Sequence, residues 1–249
     1  MRISLPGIAF FLYCIHNCVF AIVLARRQNR QPSASPSKKS YAPAVIRTAF
    51  STALALLAAL MCAIPVLGSS RIDNRSLLTG LAFLILVLCL DPLEWKFTPA
   101  ENRKRMIGFL PRTAGERFSW IFCSLAAGIG EEIIYRAVLF GILFRITDDY
   151  WTAGAASAVL FALVHFSQGL LSLVSLFLVA LCLQWLVKIS GGLYVAIGVH
   201  FAHNFINGIL WGMLTKPEWY AAEGGAPGVA HADVDVGGPQ GRRDPFRSR

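Results

Sequence analysis

Long apolar runs recur along this chain, and they limit its fold more than any other feature. "PGIAFFLYCIHNCVFAIVLA" (residues 6–25) is the first, and comparable stretches follow at about 42–68, 77–93, 118–145, 151–167, 169–187 and 192–214. A helix needs about 20 mostly apolar residues to cross a hydrocarbon core roughly 30 Å thick. Only helices and closed barrels satisfy their backbone groups in lipid, and a barrel would show ten-residue alternating strands instead. The expectation is therefore an all-α, polytopic transmembrane helical bundle of about seven spans. Composition agrees: 55% of residues are hydrophobic and 15% charged, against about 25% charged in ordinary soluble domains.

The formal charge of +9 does not point to nucleic acid, because the basic residues form no stripe interleaved with aromatics. They collect in alternate breaks between the runs. Arg26, Arg27, Arg30, Lys38 and Lys39 follow the first span, and only Arg71 and Arg75 follow the second. Lys96, Arg103, Lys104, Arg105, Arg112 and Arg117 follow the third, whereas Arg145 follows the fourth together with Asp148 and Asp149. Cytoplasmic loops keep the positive excess. The N-terminus is expected outside and the C-terminus in the cytoplasm, in a bacterial inner membrane, with "NRKRMIGFLPRTAGERF" lying along the cytoplasmic surface. No small-residue cleavage site follows the first run, which reads as a retained span.

The expected organisation is N-terminal spans with basic loops over 1–117, a polar-bearing core over 118–215 and a disordered tail over 216–249, rich in Gly, Pro and charge. The six cysteines fall within or beside apolar runs and are expected to be buried, reduced thiols; Cys14, His16 and Cys18 read as part of an apolar helix rather than a metal site.

Polar residues inside the spans carry the chemical signal. A charge at the middle of a membrane helix costs about 2.5–3.5 kcal/mol on insertion scales, yet "EEIIYR" (131–136) carries Glu131, Glu132 and Arg136 within the fourth span, with Glu131 roughly 20 Å in at about 1.5 Å per residue. Glu132 and Arg136 are four apart and can pair; Glu131 points about 100° away and needs a partner from another helix. "FALVH" (161–165) brings His165 and "HFAHN" (200–204) brings His200, His203 and Asn204, with Asn207 one turn on. A carboxylate near neutral imidazole can activate water, and a second His with an Asn amide can stabilise an oxyanion. No G-x-S-x-G or H-E-x-x-H occurs, so neither a serine-hydrolase elbow nor a zincin site is present.

These three motifs, in this order on successive helices, resemble those of the CPBP family of intramembrane proteases, which includes the CAAX prenyl endopeptidases and bacteriocin-processing or self-immunity proteins. The resemblance covers about residues 115–215. It implies an endopeptidase acting on a membrane-associated protein or peptide, with membrane lipids as the surroundings. Glu131 would be the general base with His165 holding the water, His200 and Asn204 the oxyanion site, and Glu132 and Arg136 their support. His203 falls outside the pattern and is left as an auxiliary. The resemblance leaves open whether a divalent metal such as Zn2+ takes part; Glu131, His165 and His200 make a candidate three-ligand set, the minimum for catalytic zinc. Two other readings stand beside it: a proton-coupled transporter using the same groups as a relay, and a catalytically silent immunity-type membrane protein.

Overall fold

The computed structural model describes residues 4–28, 40–68 and 72–215, apart from the side chains of Gln28 and Lys104. The tail over 216–249, most of the first basic loop and Arg71 lie outside the described residues. Helices α1 (Leu5–Gln28), α2 (Ala42–Cys62) and α3 (Asn74–Phe97) are followed by the short α4 (Ala100–Phe109). Then come α5 (Ala114–Glu131), a π-helical segment (Glu132–Leu139) and α6 (Phe140–Thr147), which together occupy the fourth expected span. Helix α7 (Tyr150–Leu163), a 3-10 turn (Phe166–Gln168), α8 (Leu170–Ser190) and α9 (Tyr194–Leu214) complete the bundle.

Four of these helices, α1, α2, α3 and α8, are long and apolar enough to cross a membrane by length and composition. Their outward faces are bare hydrocarbon: Leu60 is 80% exposed and Leu170 78%. A water-soluble protein does not carry apolar surface on this scale, and this chain is an integral membrane protein. Among the helices outside that set, α5, α7 and α9 bear or flank the polar motifs.

Short polar signals set the helix ends. Thr113 and Glu116 form a reciprocal capping box at the start of α5, while Asp73 and Asp149 cap α3 and α7 by accepting from the Ser76 and Thr152 amides at 2.6 and 2.7 Å. Such caps satisfy backbone donors that a first helical turn leaves free. Helix α2 stops at Cys62, short of the expected 68, where Ala63 turns left-handed at φ 50°. Arg145 of α6 then donates to the Cys62 and Ala63 carbonyls at 2.6 and 3.0 Å, taking up acceptors that the helix end exposes. Beyond it the Leu193 amide donates to the Leu67 carbonyl at 3.1 Å, and Gly68 pairs with Gly192. Gly68 sits at φ +70° with the Gly191 carbonyl where a side chain would begin, so only glycine fits.

Two apolar clusters fill the bundle, the smaller one between α8 and α9 around Leu183, Leu186, Val195 and Val199 and the larger one around α1, α2 and the π-helical segment. Phe10 and Cys14 of α1 and Ala55, Ala58 and Ala59 of α2 pack with Val138, Leu139 and Phe161. The small residues of α2 let the π-helical segment approach closely, and Gly128 of α5 lies against Phe201 of α9 for the same reason. Dispersion contact of this kind, rather than the hydrophobic effect, holds helices together in lipid.

All six cysteines are free, but the expectation that all are buried is corrected. Cys14, Cys18 and Cys62 are buried, whereas Cys89 and Cys182 are exposed and Cys123 is intermediate. A thiol behaves as a small hydrophobe, so facing outward among exposed leucines costs it little in lipid.

Candidate active site

The two adjacent glutamates are separated by a change of helix type. Glu131 is the last residue of α5 and Glu132 the first of the π-helical segment. A π turn is wider than an α turn and frequently marks a functional site. Its displaced backbone is served from outside: Ser157 of α7 donates its hydroxyl to the Tyr135 carbonyl at 2.6 Å.

Glu132 is fully buried and lies between two partners. Its Oε1 is 3.2 Å from Arg136 Nη1 and accepts from His200 Nδ1 at 2.7 Å. The Arg136 guanidinium also stands over the Phe161 ring, 4.3 Å from its centre, where a desolvated cation gains from the ring's negative face. The pairing of Glu132 with Arg136 is the one the four-residue spacing anticipated. The Glu132 carboxylate also orients the His200 ring, by accepting a hydrogen bond from Nδ1–H. A second group that orients a histidine in this way selects its tautomer.

Glu131 has different surroundings. Its side chain is 21% exposed, with Oε2 3.7 Å from His200 Nε2, and it takes part in no hydrogen bond among the described residues. That separation is too long for a hydrogen bond. It does allow one small donor to serve both atoms. Asn204, one turn beyond His200 on α9, is partly exposed, and its carbonyl accepts from the Trp120 indole at 3.1 Å.

His165 comes from the end of α7, where its Nδ1 bonds the Phe161 carbonyl at 2.9 Å. The Phe161 ring touches both histidines, 5.0 Å from His165 and 6.2 Å from His200 between centres. The bundle thus gathers Glu131, Glu132, Arg136 and His200 together and brings His165 against the same phenyl ring that His200 meets. Among the described residues, no three His, Cys, Asp or Glu side chains are grouped to hold a metal ion. The candidate ligand set of Glu131, His165 and His200 is not assembled, since the His165 ring is turned to its own helix and Phe161 stands beside it.

His203 has a partner that the sequence reading missed. Its Nε2 lies 3.0 Å from Asp91 Oδ2 of α3. The signal was an acid beside a proline, "LDP", inside an apolar run, where a carboxylate needs a reason to be.

Residues 113–206 match the family model for Type II CAAX prenyl endopeptidase Rce1-like proteins. The matched segment begins at the capping-box threonine and contains all three motifs, while Asp91 and helices α1 to α4 lie before it. No curated protein and no solved structure matches the chain.

Proposed function

We propose, from the match of residues 113–206 to the Rce1-like endopeptidase family model, that this chain is an intramembrane endopeptidase cleaving a membrane-associated protein or peptide. One observation carries the reading: of two neighbouring carboxylates, Glu132 is buried and spent on Arg136 and His200, while Glu131 is partly exposed and free of hydrogen bonds. A general base has to be free in this way, and its neighbour has to be occupied.

In the mechanism that follows, the Glu131 carboxylate takes a proton from a water that His165 holds through its Nε2. The resulting hydroxide adds to the scissile carbonyl carbon. With His200 Nδ1–H committed to Glu132, Nε2 is the nitrogen that meets the reacting atoms; as an imidazolium, its charge balanced by the Glu132 carboxylate, His200 donates Nε2–H beside the Asn204 amide to the developing oxyanion. Collapse breaks the C–N bond, and Glu131 returns its proton to the leaving amine. General base catalysis by such a group supplies typically 10²–10⁴-fold, and an oxyanion donor about 10²–10³-fold more.

The test is cleavage of a library of membrane-anchored peptides, with and without a prenyl group, by the purified chain before and after exhaustive chelation. Cleavage that survives chelation is the expected result for water activated by a carboxylate. Loss on chelation, restored by added Zn2+, would transfer that step to a metal. Substrate-driven uptake into proteoliposomes without proteolysis would replace the protease by a transporter.

The same reading places the N-terminus outside and the C-terminus in the cytoplasm of a bacterial inner membrane, supported by the basic residues of α4 and its flanks. A reporter active only in the cytoplasm is expected to work when fused after residue 215. A signal instead from a reporter active only outside would invert the topology.

A further inference from the structure

Asp91, His203 and Asn207 have no part in the mechanism above. At 3.6 residues per turn, His200, His203, Asn204 and Asn207 share an arc of about 100° on α9. One flank of that arc faces α5, where Gly208 receives Trp120 and Gly128 lies against Phe201. The other faces α3, where Gly80 lies against Val195 and Val199 and Asp91 meets His203. Helices α3 and α5 each pack closely on α9 and make at most slight contact with one another. The polar arc is therefore the floor of a cleft between them, and His203, Asn204 and Asn207 are all partly exposed along it. At its far end Trp95 of α3 stacks on Trp211 of α9, 4.7 Å between ring centres.

We propose that this floor is a main-chain subsite: Asp91, His203 and Asn207 bind the backbone of the peptide substrate beside the scissile bond. The inference rests on the protease reading. A peptide drawn into lipid as an extended strand must have its amides and carbonyls satisfied by the protein, and the cleft supplies both kinds of partner. Asp91 uses Oδ2 on His203, leaving Oδ1 to accept from a peptide N–H. His203 keeps Nδ1 for the peptide, and the Asn207 amide can both donate and accept. From His200 to Trp211 the helix rises about 16 Å, the length of four or five extended residues at about 3.3 Å each. The tryptophan stack closes the subsite there. Asp91 lies outside the family match, so this subsite is built partly by the N-terminal spans.

The probe is the peptide cleaved fastest in the library, together with versions N-methylated one amide at a time over the four residues on each side of the scissile bond. Binding is read by fluorescence anisotropy on full-length Glu131→Gln, which keeps the peptide intact. N-methylation at one or more of these amides is expected to weaken binding about tenfold on Glu131→Gln. The same methylation should cost less than twofold once Asp91→Ala and His203→Phe are added, while the conservative pair Asp91→Asn and His203→Gln should give an intermediate penalty. A merely structural role for the pair would weaken all peptides alike, and an equal methylation penalty in every background overturns the subsite while leaving the protease standing. A wild type that cleaves nothing, with a Glu131→Gln that binds nothing, overturns the protease reading and the subsite with it. Melting of each variant checks that it is folded, and the conservative pair carries the test if the larger changes unfold.

Discussion

Glu131→Gln is expected to lower cleavage by about 10²–10⁴-fold while leaving the melting temperature unchanged. The first half follows from the role proposed for the carboxylate: an amide has no basicity to offer the water, and general base catalysis is typically worth 10²–10⁴-fold. The second follows from its setting. Glu131 is partly exposed and accepts no hydrogen bond from the described residues, so an isosteric amide removes charge and leaves the packing intact. Single-turnover cleavage followed by mass spectrometry, alongside a thermal melt in the same detergent, reads both. Activity within tenfold of wild type would mean that another group takes the proton, and His200 would be the first to examine.

Glu132→Ala is expected to give the opposite pairing of effects, with stability and activity lost together. It would leave the Arg136 cation buried without its counter-ion, and breaking a buried pair from one side costs about 3–5 kcal/mol. Glu132 Oε2 and Arg136 Nη2 are already without hydrogen-bond partners among the described residues, so little remains to absorb the change. Replacing both partners, as Glu132→Leu with Arg136→Met, should recover most of the stability, because apolar side chains of similar volume often match or exceed a buried ion pair. It should not recover cleavage, since His200 Nδ1 would still lack the carboxylate that holds it at 2.7 Å. Unfolding in graded denaturing detergent and the peptide assay separate the two. A double variant that regains activity would show that the pair serves the fold alone.

Much of this arrangement could be read from the sequence because lipid makes polar residues conspicuous. Each expected span overlaps one helix or, for the fourth, α5, the π-helical segment and α6 in series, and the basic stretch before Thr113 is the separate α4, but only four of these helices are long and apolar enough to cross by length and composition. Boundaries slipped where apolar character continued past the helix. Residues 63–68 remain hydrophobic, and Ile64 is buried, yet Pro65 and Gly68 had already marked the turn. The 3-10 turn after His165 was hidden in the same way. The π-helical segment had no such marker: its residues are ordinary helix formers, and what widens the turn is set by α2 and α7 packed around it. Asp91 was visible as an anomaly, but its partner was not, because pairing of α3 with α9 is a matter of topology that hydropathy does not encode.

The π-helical segment also makes the catalytic geometry depend on counting. A regular α-helix turns by about 100° per residue, so gaining or losing a single residue between Glu132 and Leu139 would swing everything after it around the axis relative to everything before. Substitutions alter which groups the site contains, whereas a change of length by one residue decides whether Glu131 and Arg136 belong to the same site at all. The number of residues between Glu131 and Arg136 is in that sense as much a part of the proposed site as the side chains themselves.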